Sequence, residues 1–182
     1  MDRDIICKIE QVTKKFPGTI ALDGVAFDIA RGEIHAVVGE NGAGKSTLMN
    51  ILSGVYGHDE GVVTFEGQEC KFASTNDARK AGIAMIHQEL SLAGGMSAAE
   101  NVFINRMPKT KFGLVDYKKM NQDCTKYLER LGVSYLSPKT KVKEMSISEQ
   151  QLLEISKAVS LNAKMIIMDE PTSSLTSTEV EF

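Results

Sequence analysis

Two rhythms of apolar residues divide this chain. Residues 5–12 are β-rich and residues 25–29 alternate apolar with polar; Pro17-Gly18 breaks the chain between them and Arg31-Gly32 turns it afterwards, which predicts two antiparallel strands. Residues 33–38 predict a short apolar strand and residues 46–52 a helix, joined by the glycine-rich stretch 39–44. Residues 61–65 form another β-rich run. Residues 76–81 predict a short helix stopped by Gly82, and residues 83–86 a buried strand. The rhythm then changes. Stretches 96–103, 117–131 and 148–161 follow a helical period, with loops at Met107-Pro108 and Leu136-Ser137-Pro138, so a helical insertion is expected. Residues 164–168 return to a continuous apolar strand ending in Asp169-Glu170-Pro171, and a helix begins at Ser177. Strands interleaved with helices give an α/β class with no solenoid repeat, and the chain stops at Phe182 inside an element.

Length and composition narrow this little. The 182 residues have room for about one domain. With 42% hydrophobic and 25% charged residues, the composition is that of an ordinary globular chain. No uncharged apolar stretch approaches the roughly 18–20 residues of a membrane span, and the opening Met1-Asp2-Arg3-Asp4 is too acidic for a leader, so a cytosolic chain is expected. Cys7, Cys70 and Cys124 lie at wide, irregular spacings, which predicts buried free thiols and neither a disulfide framework nor a thiolate metal site. The net charge of −3 disfavours a general nucleic-acid binder. Within it, residues 106–144 carry ten Lys or Arg against four Asp or Glu, a run that reads first as a solvated helix face.

Chemistry enters at Gly39-Glu40-Asn41-Gly42-Ala43-Gly44-Lys45-Ser46, a G-x-x-x-x-G-K-S match between a predicted strand and a predicted helix. Glycines let backbone N–H groups converge on phosphate oxygens, and the helix start adds its positive dipole end. Lys45 can neutralise the β/γ-phosphates, and the Ser46 hydroxyl can hold Mg²⁺. A second signal is the strand 165–168, read as a buried parallel strand that delivers Asp169 and Glu170 at its carboxyl end, the edge where open α/β sheets place ligands. Side-chain alternation points the two acids differently: Asp169 can meet a Mg²⁺ shell while Glu170 orients or deprotonates a water. These two signals leave GTPases, kinases and motor-type ATPases open, although no Asn-Lys-x-Asp for guanine is present. His35, His58 and His87 lack metal-ligand spacing and default to strand, turn and loop roles.

Between the two signals lie His87-Gln88-Glu89 and, after the helical stretch, Met145-Ser146-Ile147-Ser148-Glu149-Gln150-Gln151. With Glu170-Pro171-Thr172-Ser173-Ser174-Leu175-Thr176 added, the order and spacing resemble an ABC-type nucleotide-binding domain over essentially the whole chain. Within that family the stretches Phe16-Pro17-Gly18, Ala21-Leu22-Asp23, the loop from Gly39 through Thr47-Leu48-Met49, and His87-Gln88-Glu89-Leu90 are most similar to the amino-terminal ATP-binding half of bacterial ribose, galactose and xylose importers.

The resemblance implies a P-loop NTPase fold: an ATP-binding core with an antiparallel β subdomain over residues 1–88, a helical insertion with an altered signature over 89–162, and the core resumed over 163–182. It implies ATP and Mg²⁺ as cofactors, and Gly39 to Thr47 as nucleotide-binding residues. Phe16 is then an aromatic stacked on adenine, its alternative being a core Phe beside a turn. Mg²⁺ falls to Ser46, Gln88 and Asp169, and catalysis to Lys45, Gln88 and Glu170. Ser146 and the D-loop residue Ser174 would act across to a second ATP-binding domain. The other implied partners are transmembrane permease subunits and, indirectly, a periplasmic or extracellular sugar-binding protein, with the chain peripheral on the cytoplasmic face of the membrane. Two departures stand out: Ile147, Ser148 and Glu149 replace Gly-Gly-Gln of the signature, and Thr176 stands where the family often carries Asp. Ser146-x-x-Glu149 is also a capping box. The family continues with further strands, a switch histidine and a second ATP-binding half, so this sequence reads as carboxy-terminally truncated, with an unpaired sheet edge expected. An ATP-binding fragment without hydrolysis and a soluble ABC-type ATPase unconnected with transport are the rival readings.

Overall fold

A computed structural model describes residues 4–169, and the chain divides into two compact units, Met1–Ile83 and Ala84–Phe182. In the first unit, strands β1 (Ile5–Phe16) and β2 (Thr19–Ala30) form an antiparallel hairpin closed at Phe16 opposite Thr19, with Gly18 left-handed in the turn. β3 (Glu60–Phe65) pairs with the other side of β1, and β4 (Gln68–Glu69) with β3, giving the order β2-β1-β3-β4. The register of β1 slips between Ile9 and Val12, where Gln11 has a positive φ. That bulge resets the two-residue alternation, so Cys7, Ile9 and Val12 are all buried. Helix α1 (Lys45–Leu52) buries Leu48, Ile51 and Leu52, three positions of one helical face. Helix α2 (Thr75–Ala81) is capped by the Ser74 side chain and ends at left-handed Gly82, the stop the sequence indicated.

In the second unit, β5 (Ile83–Ile86) pairs with β6 (Met165–Met168). Between them run α3 (Ala98–Val102), α4 (Tyr117–Arg130) and α5 (Ile147–Val159). Their core gathers Val102, Met120, Cys124, Leu128, Leu152 and Leu153; the α4 members recur every fourth residue, as one buried face requires. The α4 start is capped by Asp116, which accepts the Lys119 N–H at 2.9 Å. Buried Asn101 accepts the Ala93 N–H and donates to the Ala93 and Ser97 carbonyls, tying α3 to the chain before it.

Three sequence expectations are corrected. Residues 33–38 form no strand among the described residues, and Ile34 and Val38 are 99% and 92% exposed, because a strand exists only by hydrogen bonding to a neighbour and none pairs here. The segment is held instead by side chains: Glu33 accepts the Ala30 N–H, His35 meets the Glu33 carboxylate at 3.0 Å, and the His35 ring stacks on Phe27. β6 is buried only at Ile167, with Met168 exposed. Of the thiols, Cys7 and Cys124 are buried, and burial pushes them up to about 11 and about 12, but Cys70 is only half-buried.

Candidate functional site

The first unit carries the glycine loop. Gly42 and Gly44 both have left-handed backbones, with φ of 86° and 89°, and α1 begins directly after Gly44 with no side-chain cap. An uncapped start leaves its N–H groups to solvent or to an anion, and the macrodipole adds partial positive charge. Gly44 also has no room for a side chain: a methyl group there would overlap the Ala21 carbonyl oxygen and lie 2.8 Å from Leu22 Cδ2. The loop closes on itself through the Ala43 N–H, which donates to the Glu40 carbonyl at 3.1 Å. Lys45 folds back over it, its Nζ donating to the carbonyls of Gly39 at 2.7 Å and Glu40 at 2.9 Å. An ammonium group is thereby held over a loop whose residues Gly39 to Ala43 are exposed, and Ser46 and Thr47 occupy the first turn of α1. Donors, one cation and a hydroxyl around an open loop suit a polyphosphate with its metal ion.

Phe16 lies at the end of β1, 37% exposed, so it is not a core residue. Its ring meets Tyr56 edge to face, centroids 5.6 Å apart, and Lys14 Nζ lies 5.4 Å from its centroid. Tyr56 escaped the sequence reading because nothing in local spacing links it to Phe16; the contact exists only once the sheet and α1 are in place.

The second unit carries the remaining candidates. The Asp169 N–H donates to the Ile86 carbonyl at 3.1 Å, so β5 and β6 end side by side, and Gln88 and Asp169 follow from the same edge. Gln88 is exposed in the bend after β5 and Asp169 is half-buried. Ser146 is the N-cap of α5: its hydroxyl accepts the Glu149 N–H at 3.2 Å, and the Glu149 carboxylate accepts the Ser146 N–H at 2.7 Å. The capping box read from the sequence is therefore formed, and Ile147 beside it is 63% exposed. Glu170 and Ser174 lie outside the described residues, as does Thr176. No cluster of three or more His, Cys, Asp or Glu that could hold a metal occurs among the described residues. No helix of the described residues is long and apolar enough to cross a membrane.

A glycine loop seated on a helix start is the arrangement of a P-loop nucleotide-binding protein. The family model described as ABC transporter matches residues 22–173, and the chain belongs to that family. Among solved structures it is similar to a nucleotide-free ATP-binding cassette from an ABC transporter, with TM-score 0.83 and 29% identity over 97% of this chain and 73% of that one. The ADP conformation of an ATP-binding cassette of an ABC transporter matches with TM-score 0.79, 29% identity and the same coverage. Among curated proteins it is 50% identical over 98% of its length to Ribose import ATP-binding protein RbsA 1 of Streptomyces avermitilis, of which it covers 34%. It is 51% identical over 96% of its length to a putative ribose/galactose/methyl galactoside import ATP-binding protein of Burkholderia ambifaria, covering 33% of it. The chain thus spans about a third of the length of the curated relatives it matches.

Proposed function

We propose that this chain is the nucleotide-binding part of an ATP-driven importer of monosaccharides. In this reading the loop Gly39, Glu40, Asn41, Gly42, Ala43, Gly44 with Lys45, Ser46 and Thr47 grips the triphosphate of ATP, and Phe16, its ring set by Tyr56, stacks on the adenine. The observation that carries it is Lys45 poised over the open loop at the uncapped start of α1. In this reading Ser46, Gln88 and Asp169 would hold Mg²⁺, each side chain offering the hard oxygen that this ion favours, and the ion would neutralise charge on the phosphates. Phosphoryl transfer asks mostly for positioning and charge neutralisation, which Lys45 and Gln88 supply, while Glu170 orients the attacking water. Ser146 and Ser174 face a second ATP-binding domain, and closure of the pair drives transmembrane permease subunits served by a sugar-binding protein. The chain then works peripherally, on the cytoplasmic face of the membrane, without nucleic acid.

The formed capping box favours a second reading. With the Ser146 hydroxyl and the Glu149 carboxylate engaged on each other's backbone, the α5 start offers a γ-phosphate less than a glycine-rich signature does, so ATP is bound without turnover. Calorimetry with MgATP tests the common core: Lys45→Ala is expected to weaken binding at least about tenfold, the loss of one charge-assisted contact. Unchanged affinity would remove the loop from the site. Phosphate release by the unmutated chain and by Glu170→Gln, at equal ATP occupancy, separates the two readings: turnover abolished by the substitution supports the hydrolase, and none in either supports the binding module.

A further inference from the structure

We infer that Glu154 and Lys157 are a positioning pair that locks the loop following Gln88 to α5, the helix opened by Ser146, so that nucleotide arriving at Gln88 is felt along α5. The inference rests on the nucleotide reading above. Ser91, three residues past Gln88, is gripped at both ends of its backbone. Its N–H donates to Glu154 Oε1 at 2.9 Å, and its carbonyl accepts from Lys157 Nζ at 3.2 Å. The two side chains, three residues apart on one face of α5, complete the triangle with an ion pair at 3.3 Å.

Packing explains why this polar grip matters. Up to Ile86, β5 is held to α5 by apolar contact among Ala84, Ile86 and Ala158. Beside that contact lies a cavity of about 80 Å³, walled by Met85, His87, Glu89 and Ser91 on one side and by Glu154, Lys157, Ala158 and Leu161 on the other. Across that gap, Glu154 and Lys157 hold the Ser91 backbone through hydrogen bonds. An exposed ion pair would do little, but the Glu154 side chain is only 12% exposed and Lys157 25%, and a partly desolvated carboxylate accepting a backbone N–H is among the stronger hydrogen bonds. Holding N–H and C=O of one residue together fixes its orientation as well as its distance, and with it the reach of Gln88.

Amide hydrogen exchange on this chain, with and without MgATP, tests the pair. The double variant Glu154→Lys/Lys157→Glu keeps opposite charges three residues apart and so keeps the helix pair. It sets a donor against the Ser91 N–H and an acceptor against the Ser91 carbonyl. Without nucleotide, Ser91 exchange is expected to rise about tenfold in this variant, the loss of one hydrogen bond, at unchanged helix content. MgATP is expected to slow exchange in residues 87–93 and 146–157 of the unmutated chain, and in the variant to lose its effect on 146–157 while the loop 39–47 still responds. Glu154→Gln, which retains an acceptor without its charge, should raise Ser91 exchange less than the double variant does; if the double variant does not fold, Glu154→Leu against Glu154→Gln makes the same comparison. Ser91 exchange within about twofold of the unmutated chain, or a preserved α5 response, overturns the inference. Should MgATP alter no amide of the unmutated chain, the nucleotide reading fails, while the nucleotide-free exchange of Ser91 still decides whether the grip exists.

Discussion

Gly42 and Gly44 share a left-handed backbone but differ in surroundings. A side chain at Gly42 would meet nothing within 4 Å, whereas one at Gly44 meets the Ala21 carbonyl and Leu22. Gly42→Ala should therefore cost only the left-handed penalty, about 1–2 kcal/mol. Gly44→Ala adds the displacement of backbone from the β2 hairpin, and that displacement moves the start of α1 on which Lys45 and Ser46 sit. Denaturant melts of the two variants are expected to rank Gly44→Ala as the more destabilised, with MgATP affinity falling in the same order. Equal losses would mean that β2 does not support the loop. The G-x-x-x-x-G-K-S spacing revealed that glycines were needed; why the last of them cannot be replaced became visible only when Ala21 was found against it.

At the level of elements, α3 shows how short helices survive. Five residues cannot sustain a helix by propagation alone, so its ends must be held. The Ser97 hydroxyl accepts the Glu100 N–H, and the Glu100 carboxylate accepts both the Ser97 N–H at 2.8 Å and its hydroxyl at 2.7 Å. Those bonds, the backbone one foremost, hold the Glu100 carboxyl below its ordinary range. A depressed carboxylate contributes stability that is present above its unfolded pKa, roughly 4.3, and is lost as pH falls through the lower folded value. Glu100→Ala should cost about 1 kcal/mol at neutral pH and flatten the acid limb of the stability curve below about pH 4.3, measured by chemical denaturation across pH 2–7. The same Ser-x-x-Glu spacing recurs at Ser146 and Glu149, where the sequence alone identified the cap. Helices were legible because caps and periodicity are local. The stretch 33–38 was misread as a strand because its apolar run is a local fact and pairing is not, and β6 proved half-exposed for the same reason.

On the scale of the whole chain, polar and apolar surfaces are unevenly shared. Residues 33–38 have no sheet partner among the described residues and carry Ile34 and Val38 almost fully into solvent, directly before the loop that positions Lys45. Apolar side chains left in water contribute nothing to folding, since the hydrophobic gain scales with area removed from solvent. They do present apolar surface to solvent, which promotes association between chains. The double substitution Ile34→Thr/Val38→Thr should consequently leave unfolding free energy unchanged within about 0.5 kcal/mol, the usual bound for surface substitutions. Truncating a buried Ile or Val would cost more, about 0.5–1.5 kcal/mol for a single methylene and further for an introduced hydroxyl. Sedimentation velocity over a concentration series should show less self-association in the variant, with MgATP affinity retained because neither side chain belongs to the loop. A loss of about 2 kcal/mol would instead place both side chains in a buried strand in solution, and the loop before Lys45 would then be anchored by a sheet and not by Glu33, His35 and Phe27.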